Sequence, residues 1–189
     1  MADPAHKTMS LAEFLVWDSP PNRHYELICG HPVAMAPPTA AHGTIVGNLA
    51  GSLFSSLSRR HPCRAQIEVG IRIPHRRDTW YQADIAVTCR PPAAGEIAMP
   101  EPLIVVEVLS SSTENHDRKL KLPDYRLLPS VAEVVLIDSQ RMYCEAHRRA
   151  DGNLWFTDLL RDPEAVLKLD SIGLETSLEH LYANVVLEA

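Results

Sequence analysis

Cations, aromatic residues and long apolar runs are all scarce in this chain of 189 residues. Lys and Arg number 18 against 24 Asp and Glu, a net charge of −6, which argues against a protein that coats nucleic acid through its phosphates. No apolar run approaches the ~20 residues that a bilayer-spanning helix needs. Residues 1–6 lack the basic-then-apolar pattern of a secretory leader, so the chain is expected to be soluble and cytoplasmic. Aromatics make up 6% of the sequence. Trp17, Trp80 and Trp155 are too scattered for a base-stacking platform and read as core or interface residues. The four cysteines, Cys29, Cys63, Cys89 and Cys144, contain no CxxC pair. They read as small buried hydrophobes in a reducing compartment, which sets aside a zinc site or a disulfide framework. No internal repeat and no low-complexity tract is present.

What remains is ordinary globular composition, 46% hydrophobic and 22% charged. The length suits one domain that buries roughly two-thirds of its unfolded surface. Residues 1–24 are expected as a helical extension of that domain and 140–189 as its β-rich C-terminal part. Ser10 and Glu13 have the spacing of a capping box, predicting a short helix that ends before Pro20. Residues 25–35 read as a hairpin turning at Gly30-His31. Ile45, Val46, Leu49, Leu53, Phe54 and Leu57 draw one apolar stripe at the helical period, predicting a helix over 40–58. Gly47 and Gly51 within it would permit close approach of a neighbour. In 66–73, apolar Ile67, Val69, Ile71 and Ile73 alternate with Glu68, Gly70 and Arg72, the strand period. Strands follow at 80–88 and 103–109, then a helix over 117–128 and a strand at 133–137. A hairpin around Asp151-Gly152 and a short helix over 177–185 complete the chain. The order predicts an α/β (α+β) core, one mixed sheet with helices against it.

Two of these strands carry acids where apolar residues are expected. Glu107 interrupts the aliphatic run 103–109, and Asp84 sits within 80–88. Burying a carboxylate costs several kcal/mol or more unless it is protonated, paired or bound to a metal. Alternation places Gln82, Asp84 and Ala86 on one face, and Val105, Glu107 and Leu109 on one face. If the strands are neighbours, the two acids lie side by side and repel, and a bridging divalent cation removes the repulsion. Oxygen donors suit Mg2+ or Mn2+, which activate water at phosphodiesters. Lys121 and Tyr125 follow one helical turn apart. The lysine is a candidate for orienting a hydroxide or for stabilising an anionic transition state. A satisfied core carboxylate, paired with Arg118 or Lys121, is the structural alternative for Glu107.

Tyr25-Glu26-Leu27, His42 with Ile45-Val46-Gly47, Ala83-Asp84-Ile85, Val106-Glu107-Val108, Asp117-Arg118 with Lys121 and Tyr125, and Val134 to Asp138 occur in an order that resembles the Uma-two family. That family lies within the PD-(D/E)XK nuclease superfamily. The resemblance implies a restriction-endonuclease-like core and a Mg-dependent DNA endonuclease. By position it assigns Asp84 and Glu107 as the metal-holding acids, with the main-chain carbonyl of Val108 as a further ligand and Lys121 as the catalytic lysine. Glu26 matches an acid facing the same site. The chain departs from the superfamily at Leu109, where its lysine normally sits, and at Ala83, where proline precedes the aspartate. Pro123 is expected to kink the helix that presents Lys121, which makes Lys119 a rival. DNA is the implied partner, with Arg72, Arg76 and Arg77 as a candidate contact cluster. A homodimer would suit cleavage of both strands of a duplex. A catalytically silent binding or regulatory module on the same fold is the other reading.

Overall fold

A computed structural model of the chain describes residues 8–21, 23–151 and 154–187. Its first helix, α1 (Leu11–Leu15), starts at the expected capping box, with Ser10 accepting from the Glu13 amide and Glu13 reaching back. The hairpin β1 (Tyr25–Ile28) and β2 (His31–Ala34) follows, paired Tyr25 to Ala34. Its turn lies at Cys29-Gly30, where both residues adopt positive φ.

Helix α2 (Ala40–Leu57) is capped by Thr39, whose side chain accepts from the His42 amide. It buries Ile45, Val46, Leu49, Ala50, Leu53 and Leu57 against the sheet. Phe54 departs from the predicted stripe and is 47% exposed, because its position falls past the edge of the buried face. Gly47 and Gly51 face open space, so they permit no close helix approach.

Strands β3 (Arg64–Arg72), β4 (Trp80–Thr88), β5 (Ile104–Leu109), β6 (Glu133–Asp138), β7 (Cys144–Arg149) and β8 (Trp155–Leu160) build the rest of one eight-stranded mixed sheet. The order runs β2-β1-β4-β5-β6-β7-β8, with β3 paired to β4. Strands β5 and β6 run parallel, joined by the helical crossover, and the other described pairs in the sheet are antiparallel. The hairpin β7–β8 stands where Asp151-Gly152 predicted it, although Gly152 lies outside the described residues. After β8, β9 (Val166–Leu169) and β10 (Leu174–Ser177) form a separate two-stranded sheet, and α5 (Leu178–Leu181) follows.

The crossover between β5 and β6 is unusual. A three-residue helix, α3 (Glu114–His116), passes into a π-helical turn (Asp117–Lys121) and then into α4 (Leu122–Arg126). Pro123 stands in the first turn of α4, directly after the π turn. The kink expected from Pro123 therefore does not displace Lys121, which the preceding π turn carries into the interior at 3% exposure. Lys119 is exposed.

One hydrophobic core lies between α2, α5, the β9–β10 hairpin and one face of the sheet. A second joins Leu122 and Tyr125 of α4, and Leu128 just after it, to Val105, Leu109, Val134 and Leu136. Cys63 and Cys89 form a disulfide. This corrects the reading of all four cysteines as free: antiparallel pairing of Arg64 with Thr88 places the two flanking cysteines side by side. Cys29 and Cys144 are free, the first exposed and the second buried.

Candidate active site

Strand register builds the floor of the site. Ile85 pairs with Val106, so one further step of the same register sets Asp84 opposite Glu107. The Val108 amide donates to Asp84 Oδ2 at 2.6 Å, and His42 Nε2 lies 3.1 Å from Asp84 Oδ1. Asp84 is therefore held from β5 on one oxygen and from α2 on the other. Glu107 is fully buried, and the Tyr125 hydroxyl donates to its Oε1 at 2.6 Å. Burial drives its carboxyl well above the usual range. The charges of Asp117 and Asp84 push the same way, against the opposing pull of Lys121 and Tyr125.

Lys121 stands among acids. Its Nζ is 2.8 Å from Glu26 Oε1 and 3.3 Å from both Glu107 Oε1 and Asp117 Oδ1. It also donates to the Gln82 carbonyl at 3.1 Å. Burial alone would neutralise the amine, but the three carboxylates outweigh it and raise its pKa, so it stays an ammonium. Glu26, on β1, has a second set of partners, the Gln82 amide at 2.9 Å and His116 Nε2 at 3.1 Å. Burial raises its pKa, yet these bonds and the Lys121 charge bring it below the ordinary value. For Asp117, burial and the nearby acids prevail over Lys121, and its pKa is raised. His42 is also raised: Asp84 and the main chain of Val108 overcome the opposing effect of burial.

His42, Asp84, Glu107, Asp117 and Lys121 line one cavity of about 580 Å³, and Glu26 stands behind Lys121 without lining it. Asp84, Glu107, Val108, Asp117 and Lys121 lie at its base, and Ser110 to Thr113, Pro37, Pro38 and Thr39 form its walls. Glu68 lines it from β3, where it adopts φ +49° between the pairs Ile67–Ile85 and Val69–Ala83. Arg23 and His24 line it as well.

The structure thus brings Asp84, Glu107, Val108, Lys121 and Glu26 together. Arg72, Arg76 and Arg77 do not line this cavity. The Arg76 guanidinium is bound to Asp124 at 2.6 Å, alongside His75 and Tyr81. Arg77 is almost fully exposed beside Asp78. Sequence reasoning missed Asp117 as a member of the acid cluster. The signal was there, because Asp117 stands four residues before Lys121 and shares its helical face. It also missed His42 as a partner of Asp84.

The Uma2 family model, described as "Putative restriction endonuclease", matches residues 11–179. Two proteins of Synechocystis sp. resemble the chain over most of its length. The uncharacterized protein slr1290 is 28% identical over 180 residues, 92% of this chain and 91% of its own. The uncharacterized protein sll1609 is 24% identical over 158 residues, 82% and 89% respectively. A crystal structure from Anabaena variabilis ATCC 29413, described as "a putative nuclease belonging to DUF820", superposes with a TM-score of 0.76 at 21% identity. The match covers 94% of this chain and 99% of that one, and establishes a shared fold of a mixed sheet flanked by helices.

Proposed function

The chain belongs to the Uma2 family, and from that membership together with the Asp84–Glu107 pair we propose that it is a metal-dependent endonuclease hydrolysing phosphodiester bonds of DNA. The observation that carries the reading is the register of β4 and β5, which sets two carboxylates opposite each other at the base of an open cavity.

The donors suit a hard divalent cation. Asp84 and Glu107 offer carboxylate oxygens, the Val108 carbonyl is a further oxygen on the same strand, and the repulsion felt by Glu107 is what a cation between them relieves. Among the described residues no group of three or more His, Cys, Asp and Glu side chains is placed to hold a metal ion, and the Lys121 ammonium stands at the centre of Glu26, Glu107 and Asp117. Two carboxylates and one carbonyl leave the rest of a coordination shell to water, as suits Mg2+ or Mn2+, which keep several waters. Bound there, such an ion lowers the pKa of a coordinated water and neutralises charge on a phosphoryl oxygen.

The chain's own groups do the rest. The Val108 amide and His42 fix the orientation of Asp84, and the Tyr125 hydroxyl fixes that of Glu107. Lys121 adds a permanent positive charge beneath the position of the phosphate, where burial strengthens it. Arg23 and His24 meet flanking phosphates at the rim. A homodimer would place two such sites on the two strands of a duplex.

Cleavage of plasmid and linear DNA in Mg2+ or Mn2+, absent in chelator and lost in Asp84→Ala, is the expected result. Binding of DNA without turnover in either metal would contradict the reading and favour a catalytically silent binding module.

A further inference from the structure

The surroundings of Lys121 point to how many ions the site takes; this inference rests on the metal-dependent reading above. Four oxygens from four different segments close around its Nζ. They are Glu26 Oε1 from β1 at 2.8 Å, the Gln82 carbonyl from β4 at 3.1 Å, Glu107 Oε1 from β5 and Asp117 Oδ1 from the π turn, both at 3.3 Å. An ammonium has three N–H donors. The Gln82 carbonyl accepts one of them, and the three carboxylates surround the rest of the charge at ion-pair distance, so the ammonium is engaged on every side within its own pocket of oxygens. The side chain is 3% exposed, and the acids around it are buried as well. The local backbone is built to hold it there: the π turn ends at Lys121, and Pro123 starts α4 immediately after.

A cradle of three carboxylate oxygens and one carbonyl is also the kind of donor set that a hard divalent cation takes. Here the cation is already covalently attached to the chain. We propose that the Lys121 ammonium holds the position that a second metal ion would fill, so that the site accepts one divalent cation, between Asp84 and Glu107. Glu26 and Asp117 then serve the ammonium and hold no metal. Glu107 is shared, with Oε1 toward Lys121 and Tyr125. One divalent ion and the ammonium come close to balancing the four acids Glu26, Asp84, Glu107 and Asp117, and a second ion is unnecessary for charge. Lys121 acts as a fixed electrostatic element and a positioning residue for Glu107.

The test is manganese titration by calorimetry on metal-stripped full-length protein. The expected count is one ion per chain in the wild type and two in Lys121→Ala, where the emptied cradle takes the second. Two ions in the wild type, or one in both proteins, overturns the proposal. Lys121→Ala leaves three buried acids without a counter-charge, so a second variant that keeps the ammonium guards against loss of the fold. Glu26→Gln is expected to keep the count at one with affinity within about threefold of wild type. A drop from two ions to one on that substitution would instead assign Glu26 to a metal. No ion in the wild type would contradict the metal-dependent reading itself. The cradle would then be judged on Lys121→Ala alone: one ion there upholds it and none overturns it. Ethylammonium, which mimics the missing side-chain end, is expected to raise the melting temperature of Lys121→Ala while tetramethylammonium, too large and without N–H donors, does not. Equal effects of the two would count against a specific cradle.

Discussion

The Tyr125 hydroxyl donates to Glu107 at 2.6 Å, and both side chains are fully or almost fully buried. That one bond ties the second helix of the crossover to the acid at the centre of β5, and it holds Glu107 in place whether or not the carboxyl is ionised. Burial, with Asp117 and Asp84 nearby, raises the Glu107 pKa in the folded state. A raised carboxyl contributes stability that is complete below its unfolded pKa and is lost as pH climbs through the folded one.

Glu107→Gln therefore removes an ionisation cost while keeping an acceptor for Tyr125. In chelator at pH 8 the variant is expected to be more stable than wild type by about 1 kcal/mol or more. For a chain of this size each kcal/mol corresponds to roughly 2–4 °C in melting temperature. The difference should shrink towards pH 4.5, where the wild-type carboxyl regains its proton. Thermal melts across that range read it directly. A variant that melts lower at pH 8 would mean that ionised Glu107 is chiefly a structural partner of Lys121.

Glu145 behaves in the opposite sense. His147, then Arg118 and Tyr143, hold its carboxyl down at about 2 despite partial burial. A depressed carboxyl gives stability that is present above its unfolded pKa and disappears as pH falls towards the folded one. Between pH 4.5 and 2 this site should account for roughly 1–3 kcal/mol of acid destabilisation. Urea denaturation of Glu145→Gln is expected to show a flatter pH dependence over that window. An unchanged slope would assign the acid sensitivity to other carboxylates.

Reduction of the Cys63–Cys89 disulfide offers a further check. The bond closes a separation of 26 residues that spans the whole β3–β4 hairpin. Loop-closure entropy alone is worth about 3 kcal/mol for a loop of this order. Reductant, or the double substitution to serine, should lower the melting temperature by roughly 6–12 °C. Neither cysteine lines the cavity, so manganese affinity should be unaffected. A parallel loss of manganese binding would mean that the hairpin's far end sets the site's geometry.

At Gly70 the sheet has no room for a side chain. The residue pairs with Gln82, and a Cβ there would run into the indole of Trp80. Trp80 is buried, so relieving the clash means moving the indole or the strand. Gly70→Ala should cost about 3 kcal/mol, read as a shifted urea midpoint with little change in its slope. A variant as stable as wild type would mean that Trp80 repacks freely.

Much of this architecture was legible from sequence. The 3.6-residue period in 40–58 gave α2 almost to the residue, and the period of two gave β3. Acids inside aliphatic runs pointed to Asp84 and Glu107, because such runs exclude charge unless something holds it. Their facing arrangement followed from alternation once β4 and β5 proved to be neighbours. The crossover was less readable. A π turn has no distinct residue pattern, so Pro123 looked like a helix interior when it opens a new helix. The disulfide was hidden because its two cysteines meet only through strand register, with no local spacing to mark them. Strands β9 and β10 are four residues each and carry exposed Lys168 and Glu175, too short and too polar for a periodic signal.

The most direct test of the account is a crystal structure of the protein grown with manganese, read from the anomalous difference map. One peak bonded to carboxylate oxygens of Asp84 and Glu107, with the Lys121 ammonium still seated among Glu26, Gln82 and Asp117, is the predicted result. A protein that shows no peak between Asp84 and Glu107 at saturating manganese, or a peak seated on Glu26 and Asp117 instead, would contradict it.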